Sequence, residues 1–273
     1  IYLYSLAIAP NVLFGSYAER VIEDTRGIFR LFVPGRGFLF LAFFIALSNY
    51  LHFGKSMWGW IALGLFFVII AHVIRQYILF SALIAGWVIF WNVPIWKKSV
   101  FIIVAVVIGG FLYENLTIIQ NLIALTEGQV VESDPNEDIR ITAYKYFFIE
   151  YPANIFCSIF GNGVPHVESN YGHNYVEIIN GQKKLYMSDV GYAQVFALYG
   201  LIGLCLAFLI FLKSFTAKVP NRYGYLQLFM LFVFLSNILS DYFLSNHNIA
   251  TISITLYLIE RVDEKKKKVK SLL

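Results

Sequence analysis

Apolar residues come in long runs along this chain, separated by short polar connections. The runs cover 1–14, 37–52, 57–73, 77–93, 99–113, 189–212, 225–243 and 245–260. Most hold roughly 16–22 residues, enough for a helix to cross about 30 Å of hydrocarbon. The pattern predicts an all-α fold, a polytopic transmembrane helical bundle forming one membrane domain over residues 1–273. The first run is too short for a comfortable span and lacks a basic leader. It reads as the end of a truncated helix, with further helices expected before residue 1, and not as a signal peptide.

One segment breaks the pattern. Residues 114–188 form a single large polar loop, and a loop of that length is expected to be functional or to carry short helices of its own. Asp134-Pro135-Asn136-Glu137 reads as a helix start, with Asp134 as N-cap, Pro135 at the first turn and Glu137 closing a capping box. The helix is expected to run to about Tyr151 and to stop at Pro152, with Arg140, Tyr144 and Phe147 sharing a face. Phe160-Gly161-Asn162-Gly163-Val164-Pro165 predicts a tight turn with free backbone N–H groups, a weak phosphate-nest signal. His166, Glu168, His173, Glu177 and Tyr186 follow. Their spacing matches no metal-ligand motif, and no metal or cofactor is expected.

Composition turns a pattern of helices into a membrane assignment. Hydrophobic residues make up 59% and charged residues 14% of the 273, well away from the ordinary soluble balance. Mean hydropathy is +0.67. Charge then orients the spans. Lys55, Lys97, Lys98, Lys213, Lys218, Arg222, Arg261, Lys265, Lys266, Lys267, Lys268 and Lys270 all fall on one side if the spans alternate. By the positive-inside rule that side is the cytoplasm, and the C-terminus lies there. The run Lys265–Lys268 reads as a topology anchor, with a phospholipid-binding patch as its alternative. The opposite side receives residues 15–36, the Arg75 turn, 114–188 and the Ser245-Asn246-His247 turn. Cys157 and Cys205, the only cysteines, are placed in a loop and a helix, and no disulfide is expected between them. Membrane lipids are the expected surroundings, and no nucleic-acid partner is expected.

Candidate chemistry gathers on the outward side. Arg75 is pinned between two runs by Ile74-Arg75-Gln76, with no acid beside it. It reads either as an interfacial arginine that snorkels or as a fixed positive charge for an anionic head group. Asp189 opens a span in Ser188-Asp189-Val190-Gly191-Tyr192. It reads as a helix N-cap that can also face a cleft and act as a base.

Four pieces, in this order and all on the outward side, resemble the bacterial O-antigen polymerase and O-antigen ligase superfamily. They are Arg75-Gln76 between two spans, Asp138-Ile139-Arg140 in the large loop, the Gly161–Gly163 turn, and Asp189 followed by the span with Gly200 and Gly203. The resemblance covers roughly residues 35–260. It implies an inverting, metal-independent glycosyltransferase in the bacterial inner membrane. Its substrate would be an oligosaccharide on undecaprenyl pyrophosphate, used on the periplasmic face, with a chain-length regulator and a flippase as further partners. Ligases of the superfamily begin the last motif with histidine; here Asp189 stands there, and His173 begins a His-Asn-Tyr that the span does not follow. That departure favours polymerase over ligase. On this reading Arg75, Arg140 and Arg36 hold the pyrophosphate, Asp189 or else His173 takes the acceptor proton, and Tyr192 and Tyr171 stack on sugar rings. A transporter or flippase is the competing class, and nearly charge-free spans argue against it. A purely structural scaffold is a third, made less attractive by the large polar loop.

Overall fold

The computed structural model describes residues 22–25, 28–31, 35–72, 74–92, 139–166 and 168–271. The chain divides into two compact units, Ile1–Asp134 and Pro135–Leu273, and the boundary falls inside the expected outward loop. The expected runs at 1–14 and 99–113, and the expected cap at Asp134, lie outside the described residues.

The first described elements of the first unit form a short antiparallel hairpin, β1 (Ile22–Thr25) and β2 (Ile28–Leu31), with Ile22 opposite Leu31. Three helices follow: α1 (Arg36–Phe53), α2 (Ser56–Ala71) and α3 (Arg75–Asn92). Their bounds fall close to those of the apolar runs. Phe40, Phe43, Phe44 and Leu47 of α1 are buried, as are Val68 and Ile69 of α2 and Tyr77 of α3. Met57, Trp60, Phe67, Leu83, Trp87 and Phe90 point outward instead. Apolar side chains on both faces are what a helix needs when its surroundings are themselves apolar.

The second unit is the expected loop plus three long helices. The helix α4 (Ile139–Lys145) continues as a π-helical turn, Tyr146–Glu150, and ends before Pro152 as expected. Next come α5 (Ile155–Phe160) and α6 (Asn170–Asn174), the latter continuing as a π-helix over Tyr175–Gln182. A 3-10 turn, Met187–Asp189, leads into α7 (Gly191–Thr216). The unit closes with α8 (Tyr225–Leu239) and α9 (Ile249–Ser271). The expected 225–243 run therefore stops four residues early, because Ser240 turns to an extended conformation and residues 240–248 form turns.

Among the described residues two helices, α1 and α7, are long and apolar enough to cross a membrane by length and composition, and α2, α3 and α8 carry shorter apolar segments. The described chain is thus mostly helical, as the pattern predicts.

Two cores hold the second unit. One joins the loop helices to the start of α7: Phe147, Tyr151, Ile179, Met187, Val190 and Ala193 are all under 10% exposed. The other lies between α7, α8 and α9, where Phe211, Phe229, Phe232, Tyr242 and Ile252 are buried. Phe211 meets Phe234 edge-on at 5.2 Å, and Phe232 meets Tyr242 at 5.2 Å. Such pairs each add about 0.5–1.5 kcal/mol beyond burial. At the far end of α7, Gln227 Nε2 donates to the carbonyl oxygens of Ser214, Phe215 and Ala217 at 3.0–3.2 Å. These are terminal carbonyls that the helix itself leaves without donors.

Candidate functional site

The helix α7 is broken. Gly200 has φ 67° and ψ −166°, outside the helical region, so residues 191–199 and 201–216 are two half-helices in sequence. A break frees carbonyls of the first half, and buried carbonyls need donors. The Gly161–Gly163 turn supplies them. Asn162 N–H donates to the Ala197 carbonyl oxygen at 2.9 Å, and Gly163 N–H to that of Leu198 at 3.1 Å. The two backbones touch so closely that a Cβ on Gly161 would run into the Leu198 carbonyl, and one on Gly200 into the Ile159 carbonyl. This overturns the phosphate-nest reading of the turn, because the N–H groups of Asn162 and Gly163 are consumed by the broken helix.

The same packing fixes the head of α7. Gly191 lies against α8, where a Cβ would meet the Ser240 carbonyl and Asn237. Asp241 N–H donates to the Ser188 carbonyl oxygen at 2.9 Å, which ties the 3-10 turn to the end of α8. On the other side, Tyr175 Oη accepts the Met187 N–H at 3.3 Å. Tyr144 Oη donates to the Ile238 carbonyl oxygen at 2.6 Å. Burial pushes the Tyr144 hydroxyl up to about 12, so it stays a neutral donor. Asp189 is therefore carried on a turn held from two sides.

Asp189 is not the N-cap of α7. The cap position is Val190, and no side chain caps the helix there. The capping expectation is corrected, since the helix starts two residues beyond Asp189. Asp189 is exposed to solvent, yet the protein around its carboxylate partly desolvates it and raises its pKa above the ordinary 3.8. The positive charge of Arg140 opposes that rise, and so does the hydrogen bond from Ser188. The structure thus brings together two residues singled out by the sequence, Arg140 from α4 and Asp189 from the head of α7. They are far apart in the chain, and packing of Phe147 and Ala143 against Val190 and Ala193 joins their elements.

The other expected site residues are placed differently. His173 stands exposed on α6 and is not among the charges that act on Asp189. Tyr171 is half-buried and its hydroxyl pairs with that of Tyr151, while also donating to the Gly163 carbonyl oxygen at 3.3 Å. Burial and the Tyr171 partner push the Tyr151 hydroxyl strongly up. Tyr192 is only 8% exposed. Its ring stacks on Phe208 at 5.1 Å and its hydroxyl donates to the Phe234 carbonyl oxygen at 2.9 Å. A ring enclosed in this way packs the interior; it offers no face to a sugar, and the stacking expectation is corrected for Tyr192.

In the first unit, Arg36 and Arg75 open helices at one end. The Arg36 guanidinium lies 5.7 Å over the ring of Tyr77, two residues past Arg75. Arg36 Nε is buried with no hydrogen-bond partner among the described residues. Arg75 is exposed at the first position of α3.

Two features escaped the sequence reading. Tyr175, which feels the Asp189 charge and braces its turn, entered the sequence reading only as the last residue of the His-Asn-Tyr that begins at His173. A half-open cavity of about 490 Å³ also lies on α4, lined by Thr142, Lys145, Tyr146, Glu150 and Lys183 among others. There Lys183 Nζ sits 4.2 Å over the Tyr146 ring. Among the described residues, no three His, Cys, Asp or Glu side chains gather closely enough to hold a metal ion.

No protein-family model, curated protein or solved structure matches this chain.

Proposed function

We propose that the chain is a polytopic membrane glycosyltransferase that polymerises oligosaccharide repeat units carried on undecaprenyl pyrophosphate at the periplasmic face, with a cytoplasmic C-terminus. The observation that carries this reading is the exposed Asp189 just before the head of a broken, membrane-length helix, within reach of the Arg140 charge. The proposed reaction is an inverting displacement. The acceptor hydroxyl oxygen bonds to the anomeric carbon of the donor as the carbon–oxygen bond to pyrophosphate breaks. The hydroxyl proton passes to Asp189, whose raised pKa makes it a better base than an ordinary aspartate. Negative charge grows on the departing pyrophosphate, and arginine forks stabilise it. Arg140 is assigned to it; Arg75 and Arg36, which open helices at one end of the first unit, are each proposed to bind phosphate. Tyr171 and the Tyr146 cavity are the proposed sugar contacts, and His173 is the alternative base.

The departure from the ligase pattern at Asp189 is what favours polymerase over transfer to a lipid A core. A polysaccharide or lipid transporter is the non-enzymatic alternative. Lipid-linked glycans from a deletion strain separate the three. Accumulated single repeat units support a polymerase, and accumulated long lipid-linked chains a ligase. Unprocessed repeat units confined to the cytoplasmic leaflet support a flippase. Orientation is tested by labelling introduced cysteines in intact cells. Position 186 should react from outside, and position 264 only after permeabilisation.

A further inference from the structure

The helix α5 is built inside out. Its sequence is Ile-Phe-Cys-Ser-Ile-Phe, and none of its residues is buried. The small residues Cys157 and Ser158 are its least exposed, and Gly161 just beyond it touches the backbone of α7. The large apolar residues point away: Ile155 is 71% exposed, Phe156 70% and Phe160 64%. A short helix on a water-facing loop does the reverse, turning its large side chains to the core. Small residues toward the neighbouring helix and large apolar ones outward is the arrangement of helices packed within lipid.

The position of α5 agrees with this. The backbone bonds from Asn162 and Gly163 dock it at the Gly200 break, nine residues into α7 and so about 13 Å below its head. At that level α7 changes character. Residues 195–198 are buried, whereas Leu201, Ile202, Leu206 and Leu209 are each more than 40% exposed. An apolar groove of about 380 Å³ continues between the two elements, lined by Phe160, Tyr199, Ile202, Leu206, Phe243 and Leu244. The exposed face of α5 is therefore continuous with the apolar exterior of the inner half of α7.

We infer that α5 is a membrane-immersed wedge: its large apolar face, with the adjoining groove, sits in the hydrocarbon of the outer leaflet and is covered by lipid acyl chains. It holds the outward loop down onto the bilayer beside the broken helix. The inference rests on α7 crossing the membrane as proposed, and the test separates the two. The full chain is reconstituted in phospholipid nanodiscs with Cys157 and Cys205 replaced by serine. A nitroxide is then attached at Phe156→Cys, Phe160→Cys, Leu209→Cys or Glu177→Cys. Collisions with oxygen report hydrocarbon, and collisions with a water-soluble nickel chelate report solvent. The expected result is an oxygen-to-nickel ratio at positions 156 and 160 equal to that at 209 and several-fold above that at 177. Hydrocarbon at 209 with water at 156 and 160 overturns the wedge alone. Shielding of 156 and 160 from both reagents also overturns it, showing protein as the cover. Water at 209 overturns the membrane span on which the wedge rests.

Discussion

The two halves of α7 obey opposite rules. Before Gly200, Tyr192, Ala193, Val195, Phe196, Ala197 and Leu198 are all buried, enclosed by the loop helices and α8. After it, Leu201, Leu206, Leu209 and Leu212 are each more than half exposed. The enclosed half, with Gln194 and two tyrosines, is the less apolar of the two in sequence, so hydrophobicity does not explain the difference. What does is backbone contact. The outer half is gripped at Gly191 and Gly200, where other backbones come too close for any side chain. The inner half touches its neighbours through side chains and leaves its outer face free. Apolar character in this chain thus says where a helix lies, and glycine contact says which part of it is locked. The locked part is the part that carries Asp189.

The comparison breaks first at the glycines. Gly161→Ala and Gly200→Ala each add a Cβ against backbone at a positive φ, 88° and 67°. The expected loss is above about 3 kcal/mol, read as collapse of folded yield or of the unfolding midpoint in detergent. Wild-type stability for Gly200→Ala would mean that α7 runs unbroken. A smaller effect is expected at the far end of the inner half. Gln227→Ala removes the donor to three terminal carbonyls and should cost about 1 kcal/mol in the same assay.

Next in size is a shift in pH dependence. The Asp189 pKa is already raised, so the acid limb of the turnover profile should lie above the ordinary aspartate range, with activity lost as pH falls through it. Arg140 favours the ionised carboxylate, so Arg140→Gln should move that limb to still higher pH, besides slowing turnover. A limb that stays put would remove Arg140 from the surroundings of Asp189. The baseline is Gly64→Ala on α2, where a Cβ would meet nothing within 4 Å. It should cost no stability, and the helix propensity of alanine should add about 0.5–1 kcal/mol.

These differences explain what was legible in the sequence. The bounds of α1, α2 and α3 follow closely from the length of the apolar runs, because hydrophobic length is a local property, whereas α7 runs four residues past the end of its run. The stop before Pro152 is local too. The break at Gly200 is not. A glycine inside an apolar run reads the same whether the helix passes through it or ends there, and the deciding contact comes from residues 159–163. For the same reason the Gly161–Gly163 turn suggested free N–H groups that are in fact used. The site was half legible. Arg140 and Asp189 were visible as charges on the side expected to face outward, whereas the burial of Tyr192 and the bracing of Asp189 by Tyr175 depend on packing that no local pattern encodes. The π-helical turns at Tyr146–Glu150 and Tyr175–Gln182, which continue α4 and α6, had no sequence signal.

The central claim is that the locked half of α7 presents Asp189 as the proton acceptor of a glycosyl transfer. It is tested most directly by the lipid-linked glycans of cells that carry Asp189→Asn in place of the native chain, with membrane levels of the protein verified. Asparagine keeps the shape and hydrogen bonding of the side chain but is a poor base. The account predicts loss of polymer and accumulation of single lipid-linked repeat units, as severe as for Asp189→Ala. Near-normal polymer from Asp189→Asn would contradict it.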